Sequence, residues 1–169
     1  MKKTFQELVA MKQRKEKIVA LTSYDFQTAQ ILDEHCDFIL VGDSLGNVFQ
    51  GNETTLSVEL DNMIYHGQIV EKALKNAHLC VDMPFMSYQA SEDTALLNMG
   101  NVIKKTGAQS VKIEMNFSLL NLLLLNSKIA YSVLVLPGPL PIPVTVESIH
   151  CTELFIAAIE FSKALPILS

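Results

Sequence analysis

The chain has 169 residues, a net charge of -5 at pH 7 and 49% apolar residues. This length is sufficient for one domain with a hydrophobic core, and the apolar content excludes extensive disorder. The acidic balance argues against a nucleic-acid-binding surface, which needs clustered lysine and arginine. Three widely spaced cysteines without a C-x-x-C pair, and a charged N-terminus unlike a secretory signal, predict a cytosolic protein with reduced thiols.

Helices and strands are predicted to alternate along the first two-thirds of the chain. Thr4, Asp25 and Ser91 suit the N-caps of three helices, and Gly107 suits the C-terminal end of the last one. In the second of these helices, the residues expected to face inward are Ala29, Ile31 and Leu32. Strands are expected at residues 18–22, 37–43, 79–82 and 109–114. The β-α-β-α-β-α-β order predicts the α/β class with a parallel sheet.

Acidic residues end or follow three successive predicted strands. The interval from Asp43 to Asp82 and the interval from Asp82 to Glu114 each have the length of one β/α repeat. Right-handed crossovers place such strands side by side with their carboxyl ends on one face. That face carries the catalytic residues of a (β/α)8 barrel and the ligands of an open sheet. Four strands are too few to close a barrel, which usually takes about 250 residues.

Three converging carboxylates repel one another unless a cation lies between them, and Mg²⁺ prefers carboxylate oxygens. Lys112 lies two residues before Glu114, so on a strand both side chains point to the same face and bring a positive charge suited to an anionic substrate. Ser44 adds a hydroxyl group. The alternative is that each acid merely caps a helix or shapes a turn, as is expected of Asp25. Structural rather than metal-binding roles are expected for His35, His66, His78 and His150.

The composition changes after residue 114. Residues 1–114 carry 26 of the 31 charged side chains, which leaves 5 for residues 115–169. We therefore predict one unit at 1–114 and a divergent apolar tail at 115–169. Within the tail, Phe117–Leu136 has the length of a membrane span, but its central Lys128 is costly in lipid. A helix covering the sheet edge, followed by a strand at Ser132–Leu136, is the favoured alternative.

Five sequence blocks resemble the N-terminal part of ketopantoate hydroxymethyltransferase, also called 3-methyl-2-oxobutanoate hydroxymethyltransferase, over residues 3–114. The blocks are Leu21–Asp25, Val41–Gly46, Thr54–Leu56 with Asp61–His66, Asp82–Tyr88 and Gly107–Glu114. The resemblance implies a fold of parallel (β/α) units of the TIM-barrel type, truncated to roughly half a barrel. It also implies a cytosolic, commonly decameric enzyme of pantothenate biosynthesis. Its reaction moves a hydroxymethyl group from 5,10-methylenetetrahydrofolate to 3-methyl-2-oxobutanoate, which gives 2-dehydropantoate.

The same resemblance implies roles for individual residues. Asp43, Asp82 and Glu114 would hold Mg²⁺, and the oxoacid would contact Asp43, Ser44, Asp82 and Lys112. The family's later blocks, one of which contains the general-base glutamate, are not recognisable after residue 114, so no catalytic base is assigned. Our hypothesis is that the reading frame is damaged near codon 115, and we expect little or no turnover from this chain.

Two further functional interpretations follow from the same residues. One is a non-catalytic remnant that binds Mg²⁺ and an oxoacid or associates with homologous subunits. The other is a Mg²⁺-dependent oxoacid lyase of the isocitrate lyase group. The blocks Asp43–Gly46 and Asp82–Phe85 favour the transferase over the lyase. No nucleic-acid or membrane partner is expected.

Overall fold

The structure is a computed structural model that describes residues 1–115 and 133–137. The helices are α1 (Phe5–Gln13), α2 (Phe26–Leu32), α3 (Leu45–Val48), α4 (Leu60–Ala73) and α5 (Glu92–Thr106), with a short 3₁₀ helix at Thr55–Ser57. The strands are β1 (Ala20–Thr22), β2 (Phe38–Val41), β3 (His78–Asp82), β4 (Ser110–Met115) and β5 (Val133–Pro137).

The five strands form one sheet in the order β1-β2-β3-β4-β5, and every neighbouring pair is parallel. Consecutive order means that each crossover places the next strand directly beside the previous one. The register pairs Asp82, the last residue of β3, with Lys112, so β4 continues beyond the end of β3 to Met115. The predicted α/β class with a parallel sheet is confirmed.

Local hydrogen bonds set the helix ends as the sequence predicts. The side-chain oxygens of Thr4, Asp25 and Ser91 accept hydrogen bonds from backbone N–H groups three residues further along the chain. Gly107 ends α5 with a φ of 74°, a left-handed conformation that costs glycine little.

The expectation that Ile31 faces inward is wrong. Ala29 is buried and Leu32 packs against the core, whereas Ile31 is exposed. At about 100° per residue, Ile31 lies on the opposite side of α2 from Ala29, while Leu32 lies close to the Ala29 side.

The two faces of the sheet have different neighbours. Ile39, Leu79, Val81 and Ile113 belong to the main core, which also contains buried residues of α2, α4 and α5. Side chains alternate along a strand, so Cys80, between Leu79 and Val81, faces the other way. It packs in a smaller cluster with Phe38 and with Leu8 of α1. Asp82 and Lys112 share the face of Cys80, which is therefore the face opposite the main core.

Two of the four histidines have structural contacts, as expected. His78 Nδ1 donates to the carbonyl oxygen of Lys3 at 3.0 Å, and its Nε2 accepts from the hydroxyl of Ser110 at 2.8 Å. Burial lowers the pKa of His78 to about 4, so the ring is neutral at pH 7. His66 Nδ1 lies 2.7 Å from the carbonyl oxygen of Tyr24. His150 lies outside the described residues.

The sheet continues beyond residue 114. Strand β5 (Val133–Pro137) lies within one residue of the predicted strand Ser132–Leu136 and pairs with β4. The division into 1–114 and 115–169 stays a prediction, and the expected edge-covering helix lies outside the described residues. Among the helices of the described part, none has the length and hydropathy needed to cross a membrane.

Candidate functional site at the carboxyl ends of the strands

The three acids named by the sequence lie near one another. Asp82 is the last residue of β3, Glu114 lies in β4, and Asp43 follows β2 in the loop before α3. The backbone N–H of Asp43 points at Asp82 Oδ2 from 3.5 Å. Both Asp43 and Glu114 act electrostatically on the Asp82 carboxyl. Three parallel strands thus bring together carboxyl groups that are separated in sequence by whole β/α repeats.

A buried lysine lies between two of these acids. Lys112 Nζ contacts Asp82 Oδ2 closely and lies 3.0 Å from Glu114 Oε1. Lys112 is 5% exposed and Asp82 is 2% exposed, whereas the Glu114 side chain is half exposed. The ammonium group therefore balances a carboxylate that water cannot reach.

Burial and charge act in opposite directions on this pair. Burial raises the pKa of Asp82 to about 6, although the neighbouring Lys112 opposes the rise and Asp43 and Glu114 add to it. Burial would lower the pKa of Lys112, but the carboxylates of Asp82 and Glu114 outweigh it and raise that pKa. At pH 7 both groups are charged, and a small change in the surroundings is enough to protonate Asp82.

Ser44 is held beside Asp43 by a tyrosine and two close approaches of the chain. Ser44 Oγ lies 2.7 Å from the hydroxyl of Tyr24. A Cβ at Gly42 would lie 2.9 Å from Ser44 Oγ, and a Cβ at Gly46 would lie 2.7 Å from Val58 Cγ2. A Cβ at either position would therefore force the neighbouring side chain to shift.

Sequence reasoning missed Tyr24 and Tyr88, which hold site residues without belonging to the acid cluster. The Tyr88 hydroxyl donates to the carbonyl oxygen of Glu114 at 2.7 Å and accepts from its N–H at 3.1 Å. Tyr24 lies in the block Leu21–Asp25 and Tyr88 lies in the block Asp82–Tyr88. Neither periodicity nor spacing identifies them as residues of the site. Their contacts depend on strand register, which the sequence alone does not specify.

An open cavity of about 480 Å³ lies next to the end of β3. Pro84, Phe85 and Met86 line one part of it, and Leu56 and Val58 line another. Phe85 and Met86 are half exposed, while Met83 is buried in the core. Met83 thus belongs to the core, while Phe85 and Met86 form part of the cavity wall.

The metal role of the acids stays a prediction. Within residues 1–115 and 133–137, no three or more histidine, cysteine, aspartate or glutamate side chains are arranged to hold a metal ion. Lys112 forms ion pairs with Asp82 and Glu114, so a cation held by these acids would compete with it for the same oxygens.

Comparison with known proteins identifies relatives of this chain. The sequence model of a family described as ketopantoate hydroxymethyltransferase matches residues 2–129, which extends beyond the end of the last recognised block at Glu114. A 3-methyl-2-oxobutanoate hydroxymethyltransferase of Phocaeicola vulgatus is 54% identical over 114 residues, covering 67% of this chain and 42% of the relative. The enzyme of the same name from Trichodesmium erythraeum is 50% identical over 112 residues, covering 66% of this chain and 43% of the relative. The chain thus spans less than half the length of these curated relatives.

Solved structures agree on the fold. Phosphoenolpyruvate phosphomutase from Streptomyces platensis subsp. rosaceus superimposes with a TM-score of 0.55 at 13% identity, over 95% of this chain and 49% of that one. A 2,3-dimethylmalate lyase of the PEP mutase/isocitrate lyase superfamily superimposes with a TM-score of 0.54 at 9% identity. The match covers 94% of this chain and 59% of the lyase. At such identities the likeness concerns the fold alone, and it confirms parallel (β/α) units of the TIM-barrel type.

Proposed function

The chain belongs to the ketopantoate hydroxymethyltransferase family, and from this premise we propose that its site serves hydroxymethyl transfer to 3-methyl-2-oxobutanoate. The donor would be 5,10-methylenetetrahydrofolate and the product 2-dehydropantoate. The observation that carries the proposal is the buried Asp82–Lys112 pair, flanked by Asp43 and Glu114 at the carboxyl ends of parallel strands. This edge is where enzymes built from (β/α) units place their reacting groups.

Mg²⁺ is the cation that this donor set suits. The carboxylates are hard oxygen ligands, and the buried one, Asp82, has only an ammonium group to balance it. Asp43, Asp82 and Glu114 would hold the ion, in competition with Lys112 for the same oxygens. When bound, Mg²⁺ would polarise the carbonyl group of an oxoacid and so make the proton on the adjacent carbon more acidic.

The chain's own residues would bind and orient the oxoacid. The ammonium group of Lys112 would attract its carboxylate once a cation takes over part of the pairing with Asp82 and Glu114. Ser44 would offer its hydroxyl as a hydrogen-bond partner from a position fixed by Tyr24. Removal of the C3 proton needs a base, and we assign that role to no residue of the described part.

We test the proposal with the purified 169-residue protein. Titration calorimetry with Mg²⁺ and 3-methyl-2-oxobutanoate should give saturable binding of the oxoacid that depends on the metal. The substitution Asp82→Asn should weaken the binding of Mg²⁺ and the binding of the oxoacid by at least about tenfold each, because it removes a buried charged ligand. Glu34→Gln, a change at an exposed acid outside the site, should leave both unchanged. If neither compound binds, the proposed site does not exist.

A turnover assay with 5,10-methylenetetrahydrofolate separates the enzyme from a binding remnant. We expect oxoacid binding with little or no product, because the family block that contains the general base is not recognisable in this chain. Robust product formation would overturn that expectation and establish a complete active site. The lyase alternative has no specific support, since the likeness to 2,3-dimethylmalate lyase at 9% identity concerns the fold alone.

Location and assembly are part of the same proposal. A cytosolic location is supported by Cys36 and Cys80, which are free and buried among the described residues. Association with homologous subunits is the partner relation that family membership favours. Size-exclusion chromatography with light scattering measures it directly.

A further inference from the structure

The main chain of Glu114 extends beyond the end of its neighbouring strand. Lys112, two residues earlier, accepts a hydrogen bond at its carbonyl oxygen from the N–H of Met83 at 2.9 Å. In a strand, residues two apart direct their N–H and C=O groups to the same side, so Glu114 also faces the β3 side. The pairing of β3 with β4 ends at Asp82, and the next N–H on this side of an extended chain would be that of Phe85, which lies beyond the end of β3.

Tyr88 supplies the missing hydrogen bonds. Its hydroxyl donates to Glu114 O at 2.7 Å and accepts from Glu114 N at 3.1 Å, as the next residue of a strand would. The ring is buried, and the loop before it is pinned to α5 because Asn98 Nδ2 donates to the carbonyl oxygen of Ser87 at 2.6 Å. Ser87 in turn donates through its hydroxyl to Pro84 O at 2.7 Å.

We propose that Tyr88 is a positioning residue of the site: its hydroxyl fixes the main chain of Glu114 and thereby holds the Glu114 carboxylate at Lys112. Packing alone does not hold this carboxylate, since the Glu114 side chain is half exposed. Its direction is set by the strand end and by the 3.0 Å contact with Lys112 Nζ. What the carboxylate then binds rests on the proposed function, whereas the positioning itself does not.

The positioning is tested first in metal-free protein by amide hydrogen exchange. Tyr88→Phe keeps the ring and removes the hydroxyl, so the Glu114 amide loses its acceptor and should exchange about tenfold faster. Tyr65→Phe, the same chemical change at an exposed tyrosine of α4, is the matched control and should change nothing at Glu114. An unchanged Glu114 rate in Tyr88→Phe overturns the proposal, and so does equal acceleration throughout β4, which indicates general loosening.

The effect on the site is tested with Mg²⁺ alone, by calorimetry on the wild type, Tyr88→Phe, Glu114→Gln and the double variant. Tyr88→Phe should weaken Mg²⁺ binding by about tenfold, as loss of a residue that orients a ligand does. In the Glu114→Gln background the same change should have no further effect, because Tyr88 acts through Glu114. Additive losses overturn the proposal. A wild type that binds no Mg²⁺ refutes the proposed function, and the exchange result then decides the inference.

Discussion

Removal of the Lys112 ammonium group is the most direct perturbation of the buried pair. Lys112→Met keeps most of the side-chain volume and leaves the Asp82 carboxylate without its main counter-charge. Both residues are almost inaccessible to water, so solvent cannot replace the lost partner. The variant therefore measures how strongly the site depends on a cation at this position.

The expected loss is large relative to the stability of a small domain. Breaking a buried ion pair by removing one partner costs about 3–5 kcal/mol, because the remaining charge is left desolvated. The carboxyl can escape by taking up a proton, and because its pKa is already about 6 this step costs about 1.4 kcal/mol at pH 7. The expected loss therefore lies between about 1.4 and 5 kcal/mol, against a total stability of about 5–15 kcal/mol for a typical domain.

Urea unfolding followed by far-ultraviolet circular dichroism, at pH 7 and pH 5, measures the loss. Burial already raises the pKa of Asp82 to about 6, and removal of Lys112 raises it further. Below that pKa the carboxyl is neutral and needs no counter-charge, so the deficit should be full at pH 7 and should shrink at pH 5. Mg²⁺ should restore part of the deficit at pH 7 if it binds Asp82.

Two further variants make the interpretation specific. Lys112→Met combined with Asp82→Asn should recover most of the loss, because no buried charge remains. Arg14→Gln, which breaks the solvent-exposed pair with Glu16, should cause no measurable change. A Lys112→Met protein as stable as the wild type at pH 7, or a deficit that grows at pH 5, would refute the reasoning.

Two other substitutions test the fold around the site. Asp33→Asn should cost about 2 kcal/mol at pH 7, because the buried carboxylate accepts hydrogen bonds from the backbone N–H groups of residues 75–77. Burial would raise the pKa of Asp33, but these hydrogen bonds outweigh it and lower that pKa, so the deficit should shrink as the pH falls below about 4. Gly67→Ala should cost about 1–3 kcal/mol in the same urea assay, because its Cβ would lie 2.8 Å from Thr106 Cγ2 between α4 and α5.

Matched controls accompany both substitutions. Glu34→Gln neutralises the exposed acid next to Asp33 and should leave the urea midpoint unchanged. Gly100→Ala in α5 meets no atom within 4 Å, so it should stabilise the helix by up to about 1 kcal/mol. If Asp33→Asn behaves like Glu34→Gln, or Gly67→Ala like Gly100→Ala, the packing and hydrogen bonds described for these positions do not hold in solution.

Local features were predictable because their interactions lie close in sequence. Thr4, Asp25 and Ser91 cap helices by bonds to N–H groups three residues away, and Gly107 ends α5 by its own backbone conformation. The alternation of strands and helices led to the parallel sheet because two strands joined by a crossover helix run in the same direction. Ile31 was misplaced because α2 has only seven residues, too few for an apolar pattern to define its inner side.

Strand register decided which side chains meet at the site. The sequence by itself determined that acids stand at strand ends and that Lys112 shares a face with Glu114, since side-chain alternation needs only the strand. Only the tertiary structure pairs Lys112 with Asp82, because 30 residues and one crossover separate them. It also decided that the Tyr88 hydroxyl bonds to the main chain of Glu114, a contact made beyond the last residue of β3. Hydrogen bonds between residues so far apart in sequence depend on how whole strands are placed, which no local pattern encodes.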